Sequence, residues 1–565
     1  MDFKQEIITI LSKETKLSAE ELFLLLAVPP DTKMGDYAFP CFKLGGNPKE
    51  QAEKLKAKLK LPDFLEKVEV AGPYLNFYLN KSALTSATLK EIFHLKNKYG
   101  QGKENKNIVV EFCSPNTNKP LHLGHVRNMA LGDSLSKLLA FQGNKVHTVE
   151  IVNDRGVHIC KSMLAYERWG HKEKPAKKSD HFVGDYYVIF SQKAKENEKL
   201  EEEAQQMLLK WEQGDKKTVA LWKKMNKWAL DGFKQTYKRF GIKFEKEYFE
   251  SQFYTKGKEL VQEGLAQGIF EKDETGAILA PLEKFGLTNK ILLRGDGTSV
   301  YITQDMYLAQ FRYDDYKYDK LIYVVASEQN LHFKQLFKIL ELLKQPYAKN
   351  LYHLSYGLVN LPTGRMKSRE GTVVDADDLM NELSGIAEQE VKKRYSNLSE
   401  VEIKRRAEFI ALGALKFYML RVDSLKDMIY HPEESLSFEG ETGPYVQYTH
   451  ARACSILRKA ERDKKIKAAV KVDFGLLNTP QELAVVGKLN EFPFVVEKAA
   501  DNYKLNYICN YLISLSQAFN EFYHAHAVIS DDEKLMKARL ALVDCTRQVL
   551  ETGLELLGIT APEEM

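Results

Sequence analysis

Two imidazoles three residues apart, His122 and His125, flank Gly124 in the run Lys119-Pro120-Leu121-His122-Leu123-Gly124-His125. Beside a phosphate chain such a pair can donate hydrogen bonds to an anionic transition state. Gly124 would let a purine ring approach the backbone. This chemistry needs a helix start aimed at phosphate, and the flanking residues provide one. Ile108-Val109-Val110-Glu111-Phe112 is an apolar run ahead of the motif, and Leu131, Leu135 and Leu138 behind it share one helical face. A Gly143-Asn144 turn then leads into a second apolar run, Val146 to Val152. Strand, loop, helix and strand form the first unit of a parallel nucleotide-binding sheet. His122, Leu123, Gly124 and His125 are then expected where the helix begins, with backbone N–H groups free to meet phosphate. The structural alternative is a strand-to-helix turn carrying two exposed histidines and a packing glycine. Zinc ligation has little support, because neither a His-Glu-x-x-His pattern nor a third nearby ligand is present.

The rest of the chain bounds what such a site can belong to. At 565 residues, three to four domains are expected. Hydrophobic residues at 44% can fill real cores, and 28% charged residues imply a soluble surface. No run approaches the roughly 20 apolar residues of a membrane span. Met1-Asp2-Phe3-Lys4-Gln5-Glu6 lacks the basic start and apolar centre of a signal peptide, so a cytoplasmic location is expected. Six cysteines, at 41, 113, 160, 454, 509 and 545, show no paired metal spacing and read as reduced thiols. A net charge of +4 is too small to argue for nucleic acid, so any RNA contact must come from local patches.

Four regions follow one another. Residues 1–100 alternate short helices and strands, an α+β domain ending in a Lys/Asn/Gly-rich stretch. Residues 101–395 carry the sheet. Within them, about 161–246 form a long charged insertion with Trp211, Trp222 and Trp228, read as helices with solvated faces. Strand patterning returns at Ile291-Leu292-Leu293 and, after an Asp296-Gly297 turn, at Val300 to Asp305, as in a hairpin. Leu321 to Ala326 and Leu351 to Leu361 bracket an amphipathic helix, His332 to Leu343, and complete a doubly wound sheet. From 396 to 565 the chain reads as helical. The stripes Leu512, Leu515, Phe519, Phe522 and Leu550, Leu554, Leu557 mark bundle core.

Glu111 to Arg127, an acidic residue followed by Ser-Pro-Asn, Lys and His-x-Gly-His, resembles the signature of the arginyl-tRNA synthetases, a family of class I aminoacyl-tRNA synthetases. Gly35 to Pro40 and Gly72 to Phe77 resemble that family's N-terminal additional domain. Glu441 to Arg452 and the chain end at Met565 resemble its anticodon-binding bundle. The likeness spans essentially the whole chain. It implies a Rossmann-type α/β catalytic domain with a connective insertion, preceded by the α+β domain and followed by the all-α bundle.

The resemblance also implies an activity and its residues. Arginine and ATP would give arginyl-adenylate, and the arginyl group would pass to the 3′ end of tRNA(Arg), with Mg²⁺ bridging phosphates. A permanently cationic guanidinium calls for carboxylates in forked geometry. Asp305 and Tyr301 match the family's guanidinium-binding pair, and Glu250 its second carboxylate. Asn116 and Gln329 match residues that hold the α-amino end, with Glu111 supporting Asn116. Asp305 could instead cap a helix starting near Met306. Tyr74 and Asn76 would meet the D-loop of tRNA, a ring for stacking and an amide for a base edge, or else close a strand. Tyr445, Tyr448 and Met565 are the anticodon-side candidates.

Gly364-Arg365-Met366-Lys367-Ser368-Arg369 stands where the family has its Lys-Met-Ser-Lys-Ser phosphate loop, but both lysines are replaced. Members with a degraded loop tend to carry a lysine just before the histidine motif, and Lys119 fits. Asn153-Asp154-Arg155-Gly156 departs from the family's Gly-Asp-Trp-Gly. A monomer without membrane association is expected. The competing readings are a class I synthetase for another amino acid, a tRNA-binding paralogue without catalysis, and a small nucleotidyltransferase. The last leaves the flanking domains without a purpose.

Overall fold

The protein is seen in a computed structural model that describes residues 3–29, 31, 34–360, 362, 374–395 and 397–565. Helices α1 (Phe3–Glu14), α2 (Ala19–Leu25) and α3 (Pro48–Lys58) accompany three strands, β1 (Tyr37–Pro40), β2 (Leu65–Ala71) and β3 (Tyr74–Leu79), ordered β1-β3-β2 and antiparallel. Ser18 and Glu21 form a reciprocal capping box that starts α2. Alternation in β3 buries Leu75, Phe77 and Leu79 against Phe39 and Ile7, a self-contained core.

The buried residues of that core run to Leu79, and Leu84 and Ala87 pack against it from the next helix. Helix α4 (Lys81–Leu95) belongs to the main body. Leu89 and Ile92 are buried there, Thr88 Oγ1 donates to Asn490, and Tyr99 Oη donates to the Leu489 carbonyl at 3.1 Å. Tyr99 fastens the Lys/Asn/Gly-rich stretch to the C-terminal helices.

The sheet follows: β4 (Asn107–Glu111), helix α5 (Leu123–Phe141) and β5 (Lys145–Val152). Four helices then make the insertion, α6 (Val157–Trp169), α7 (Ser179–Glu196), α8 (Lys199–Glu212) and α9 (Lys216–Phe240), before the chain returns as β6 (Lys246–Phe249). They enclose their own apolar core, with Met163, Val183, Phe190 and Ala204 buried. Short helices α10 (Glu250–Phe253) and α11 (Lys258–Ala266) precede a small antiparallel sheet, β7 (Glu271–Lys272), β8 (Ile278–Ala280) and β9 (Lys290–Leu293). Next come α12 (Tyr301–Tyr316), β10 (Lys320–Ala326), α13 (Asn330–Leu342) and β11 (Leu351–Tyr356). The strand order β11-β10-β4-β5-β6, all parallel, places the topological switch between β4 and β10. Ligands are expected beyond the carboxyl ends of those strands.

The hairpin expected at 291–305 is not formed. Pairing across the turn stops at the Leu293–Ser299 bridge and the Arg294 N–H to Thr298 carbonyl bond, and residues from Tyr301 onward are helical. Ile302, Met306 and Ala309 are buried at helical spacing, and that stripe wins over the short β-like run.

The last region contains β12 (Val359–Asn360), α14 (Ala376–Arg394), α15 (Glu400–Arg421), β13 (Met428–Ile429) and α16 (Pro432–Ser435). The bundle helices α17 (Gly443–Lys464), α18 (Pro480–Asn502), α19 (Asn506–Ala525) and α20 (Glu533–Leu556) complete it. Leu512, Leu515, Phe519, Phe522, Leu550, Leu554 and Leu557 are all buried, as their spacing requires. Strand β13 pairs with β12 in parallel, Val359 beside Met428 and Asn360 beside Ile429.

Candidate active site at the strand carboxyl ends

His122 is the N-cap of α5. Its Nδ1 accepts from the Gly124 N–H at 3.2 Å, while His125 Nδ1 accepts from the His122 N–H at 3.1 Å. The two rings lie 4.0 Å apart between centroids. A Cβ on Gly124 would sit 3.0 Å from the His122 ring, so glycine is what lets the imidazole fold back onto the helix. Burial and the neighbouring Lys119 hold both histidines neutral, His122 down to about 3 and His125 well below its ordinary value. A neutral ring whose Nδ1 accepts must carry its proton on Nε2. Each histidine therefore presents one fixed Nε2–H donor.

The expectation of free backbone N–H groups at this helix start is corrected. Leu123 N–H donates to the Val374 carbonyl at 3.0 Å, Gly124 N–H to His122, and His125 N–H to the His122 carbonyl at 2.7 Å. The polar groups left to face the crevice here are the two imidazoles and Lys119. The Lys119 ammonium is lowered in pKa by burial and lies close enough to depress both histidines. Lys119 and His122 line a cavity of about 180 Å³ with Lys177, His181, Tyr187 and Asp375.

One described cluster has metal-like composition: Asp180, His181 and Asp377. The Lys178 ammonium already sits in it, 2.7 Å from Asp180 and 2.9 Å from Asp377. It braces α7 against the start of α14. Arg365, Met366, Lys367 and Ser368 lie outside the described residues.

The turn after β4 carries Cys113 and Ser114 at φ 75° and 52°, consecutive left-handed positions without glycine, which cost on the order of 1–3 kcal/mol each. Asn128 Oδ1 accepts from the Cys113 N–H, and Asn153 Nδ2 donates to the Ser114 carbonyl. These bonds hold Asn116 exposed at the strand ends, bridged to Asn153. Glu111 does not support Asn116 directly. It is buried in an ion pair with Arg312 and faces Ser114 Oγ at 3.5 Å. A fully buried guanidinium takes the nearest carboxylate, because leaving either charge alone would cost about 3–5 kcal/mol. Glu111 therefore acts on the turn from beneath.

Glu250 opens α10 directly after β6 and is buried, its carboxyl pushed up to about 7 mainly by desolvation. Asp305 stands in the second turn of α12. The N-cap of that helix is Val300, which removes the capping alternative for Asp305. Its Oδ2 meets His332 Nε2 at 2.6 Å. Tyr301, 72% exposed at the helix start, lies within electrostatic range of Glu250 and Asp305. Gln329 is exposed in the Ser327–Gln329 turn at the end of β10. The carboxylates, Tyr301, Asn116 and Gln329 thus all stand at the carboxyl ends of the sheet.

Residues 88–431 match the family of tRNA synthetases class I (R), catalytic domain; 446–565 match the DALR anticodon binding domain; 1–79 match the arginyl tRNA synthetase N terminal domain. The chain belongs to the arginyl-tRNA synthetase family. The arginine–tRNA ligase of Treponema pallidum is 46% identical over 96% of this chain and 95% of its own length. That of Borrelia turicatae is 40% identical over 98% and 97%. The solved Thermus thermophilus arginyl-tRNA synthetase superposes with a TM-score of 0.81 at 28% identity, covering 96% of both chains. The N-terminal match stops at 79, the last buried residue of the first core.

Outside the catalytic crevice the family candidates divide. Tyr74 is 41% exposed and packs edge-on against exposed Phe42, whereas Asn76 is buried. The ring pair offers a stacking face, and Asn76 as it stands offers no base contact. Tyr448 and Met565 line one cavity of about 360 Å³ with Tyr395, Arg452 and Tyr523. Tyr445 adjoins it through Asn520, which donates to Tyr445 Oη at 3.0 Å and pairs with Arg452.

Residue-by-residue reading missed Arg312, His332 and the supports of the Asn153–Gly156 turn. Asp154 accepts from Ser251 N–H and Oγ at 2.8 and 2.6 Å, and Trp222 Nε1 and Asn226 Nδ2 donate to its carbonyl. Trp222 is visible as a tryptophan in the charged insertion, though its partner is not. The others carry no local signal. All six cysteines are buried and free, in keeping with scattered thiols.

Proposed function

We propose that this chain is an arginine–tRNA ligase whose arginine side chain is held between Glu250 and Asp305. The supporting observation is that these two carboxylates, within electrostatic reach of each other, stand in one sheet crevice with the paired Nε2–H donors of His122 and His125. The substrate carboxylate attacks the α-phosphorus of ATP in line, the bond to pyrophosphate breaks, and arginyl-adenylate forms. The 3′-terminal ribose hydroxyl of tRNA then attacks the activated carbonyl and releases AMP. No side-chain nucleophile is required, because positioning and charge stabilisation lower the barrier. The imidazoles donate to phosphate oxygens as charge builds, and Lys119 supplies a positive charge beside them. ATP enters as its magnesium complex, so the ion is part of the substrate. Charging of total tRNA with labelled arginine, set against a panel of other amino acids, tests the assignment. Selective charging with a different amino acid would overturn it.

Asp305→Asn keeps the side chain's shape and removes its charge. The arginine KM rises by about tenfold or more, with ATP KM nearly constant, because a desolvated ionic hydrogen bond is worth about 1.5–3 kcal/mol. An unchanged arginine KM would remove Asp305 from the pocket.

Deleting residues 1–79 at the edge of the first core weakens tRNA binding and leaves a folded body able to bind ATP. Filter binding and a melting curve read the two effects separately. Unaltered tRNA affinity would show that the Tyr74–Phe42 face is not an RNA contact. Deletion to residue 100 would instead unfold the body, since Leu89, Ile92 and Tyr99 are part of its core.

A further inference from the structure

Arg155 stands in the turn after β5, where the family pattern has tryptophan. Its guanidinium lies 3.8 Å from the Tyr254 ring centre and 5.4 Å from that of Trp211. It pairs with Glu212 at the end of α8 at 2.5 Å and reaches Glu250 only at 3.8 Å. Its side chain is 11% exposed, and its Nε has no hydrogen-bond partner among the described residues. A resident guanidinium thus lies beside the carboxylate that the reading above assigns to the substrate's guanidinium. It is drawn away from that carboxylate by a second one on the insertion.

We propose that Arg155 is a positioning residue of the amino-acid pocket: held back by Glu212 and Tyr254, it orients Glu250 without occupying the oxygens that the incoming guanidinium needs. This inference rests on the assignment of Glu250 to the arginine pocket. The groups facing Glu250 are Arg155 and Asp154 from the turn after β5, and Tyr301, Gln304 and Asp305 from α12. Asp154 and Asp305 oppose ionisation of Glu250, and Arg155 is the cation that favours it. Gln304 donates to the carboxylate. With Glu250 titrating near 7, its charged form is present above that pH and lost below it. The arginine KM is therefore flat at high pH and climbs as pH falls through about 7, by about tenfold per pH unit.

The two ends of the Arg155 clamp predict opposite shifts, which loss of structure alone would not produce. R155M removes the cation and raises the Glu250 pKa, so the KM rise begins at higher pH and KM at pH 7.5 increases. E212Q releases Arg155 onto Glu250. The tighter pair lowers the pKa, so the midpoint moves down, while KM at high pH rises because the two guanidinium groups compete. R155K keeps a cation and holds the midpoint close to the parent's. ATP KM stays constant throughout.

The experiment is the pH profile of arginine KM in pyrophosphate exchange with the full chain and tRNA, for the parent, R155M, R155K, E212Q and E250Q. Opposite midpoint shifts for R155M and E212Q support the proposal. A parental profile in R155M, or shifts of the same sign in both variants, overturns it. If E250Q leaves arginine KM unchanged, the pocket assignment itself falls. If E250Q raises KM and abolishes the pH dependence while R155M does neither, only the role of Arg155 falls.

Discussion

His125→Ala lowers adenylate formation by about ten- to a thousandfold, the range expected when one donor to a developing phosphate charge is removed. Arginine KM changes little, because the imidazole stands at the start of α5 and the carboxylates stand on α10 and α12. The fixed tautomer adds a second expectation. Both rings are neutral well below physiological pH, so neither His122 nor His125 contributes an ionisation to the rate between about pH 6 and 8. A catalytic imidazolium would instead produce a limb near its ordinary pKa of about 6.5. The substitution also removes the acceptor for the His122 N–H, and losing a cap of this kind costs about 1 kcal/mol. A small fall in melting temperature is therefore expected and does not explain a hundredfold rate loss. Pyrophosphate exchange that stays near the parental rate would show that the pair only caps the helix.

Local pattern revealed the sheet because its signals are local. Apolar runs at 108–112, 146–152 and 321–326 each became a parallel strand, and the intervening leucine stripe became α5. It failed at 300–305, where four β-favouring residues, Val300 to Thr303, are too short a run to exclude a helix. Packing of Ile302 and Met306 on the small sheet then decided. Around residue 99 another limit operates: polar composition marks exposure, yet Tyr99 is a buried anchor inside a polar stretch.

In the site, the chemistry-bearing residues could be found from their motif, but their partners could not. Glu111 and Arg312 are separated by two hundred residues of chain, as are Asn128 and Val324 by nearly as many, and only the closed sheet brings them together. The accepting role of each Nδ1, which fixes both tautomers, also depends on a rotamer that no spacing rule supplies.

Lys119→Ala depresses kcat by about a hundredfold or more and leaves arginine KM nearly constant, the pattern of an interaction strongest in the transition state. The lysine sits one residue before Pro120, and α7 packs on this segment so closely that a Cβ on Gly184 would meet Pro120 Cδ at 2.7 Å. Its ammonium is held largely out of water, where a positive charge acts more strongly on phosphate than on a mobile surface chain. Desolvation also makes that charge costly to keep, and the cost falls when polyphosphate arrives beside it. Stabilisation is therefore largest when pyrophosphate leaves with its added charge. A lysine installed at Ser368 in the Lys119→Ala background recovers part of kcat, since it returns one positive charge to the loop that the family pattern assigns to the same phosphates. An ordinary surface lysine would leave kcat within about twofold, under half a kcal/mol. That result, or a full loss carried by arginine KM alone, would transfer the phosphate charge to Arg365, Lys367 and Arg369.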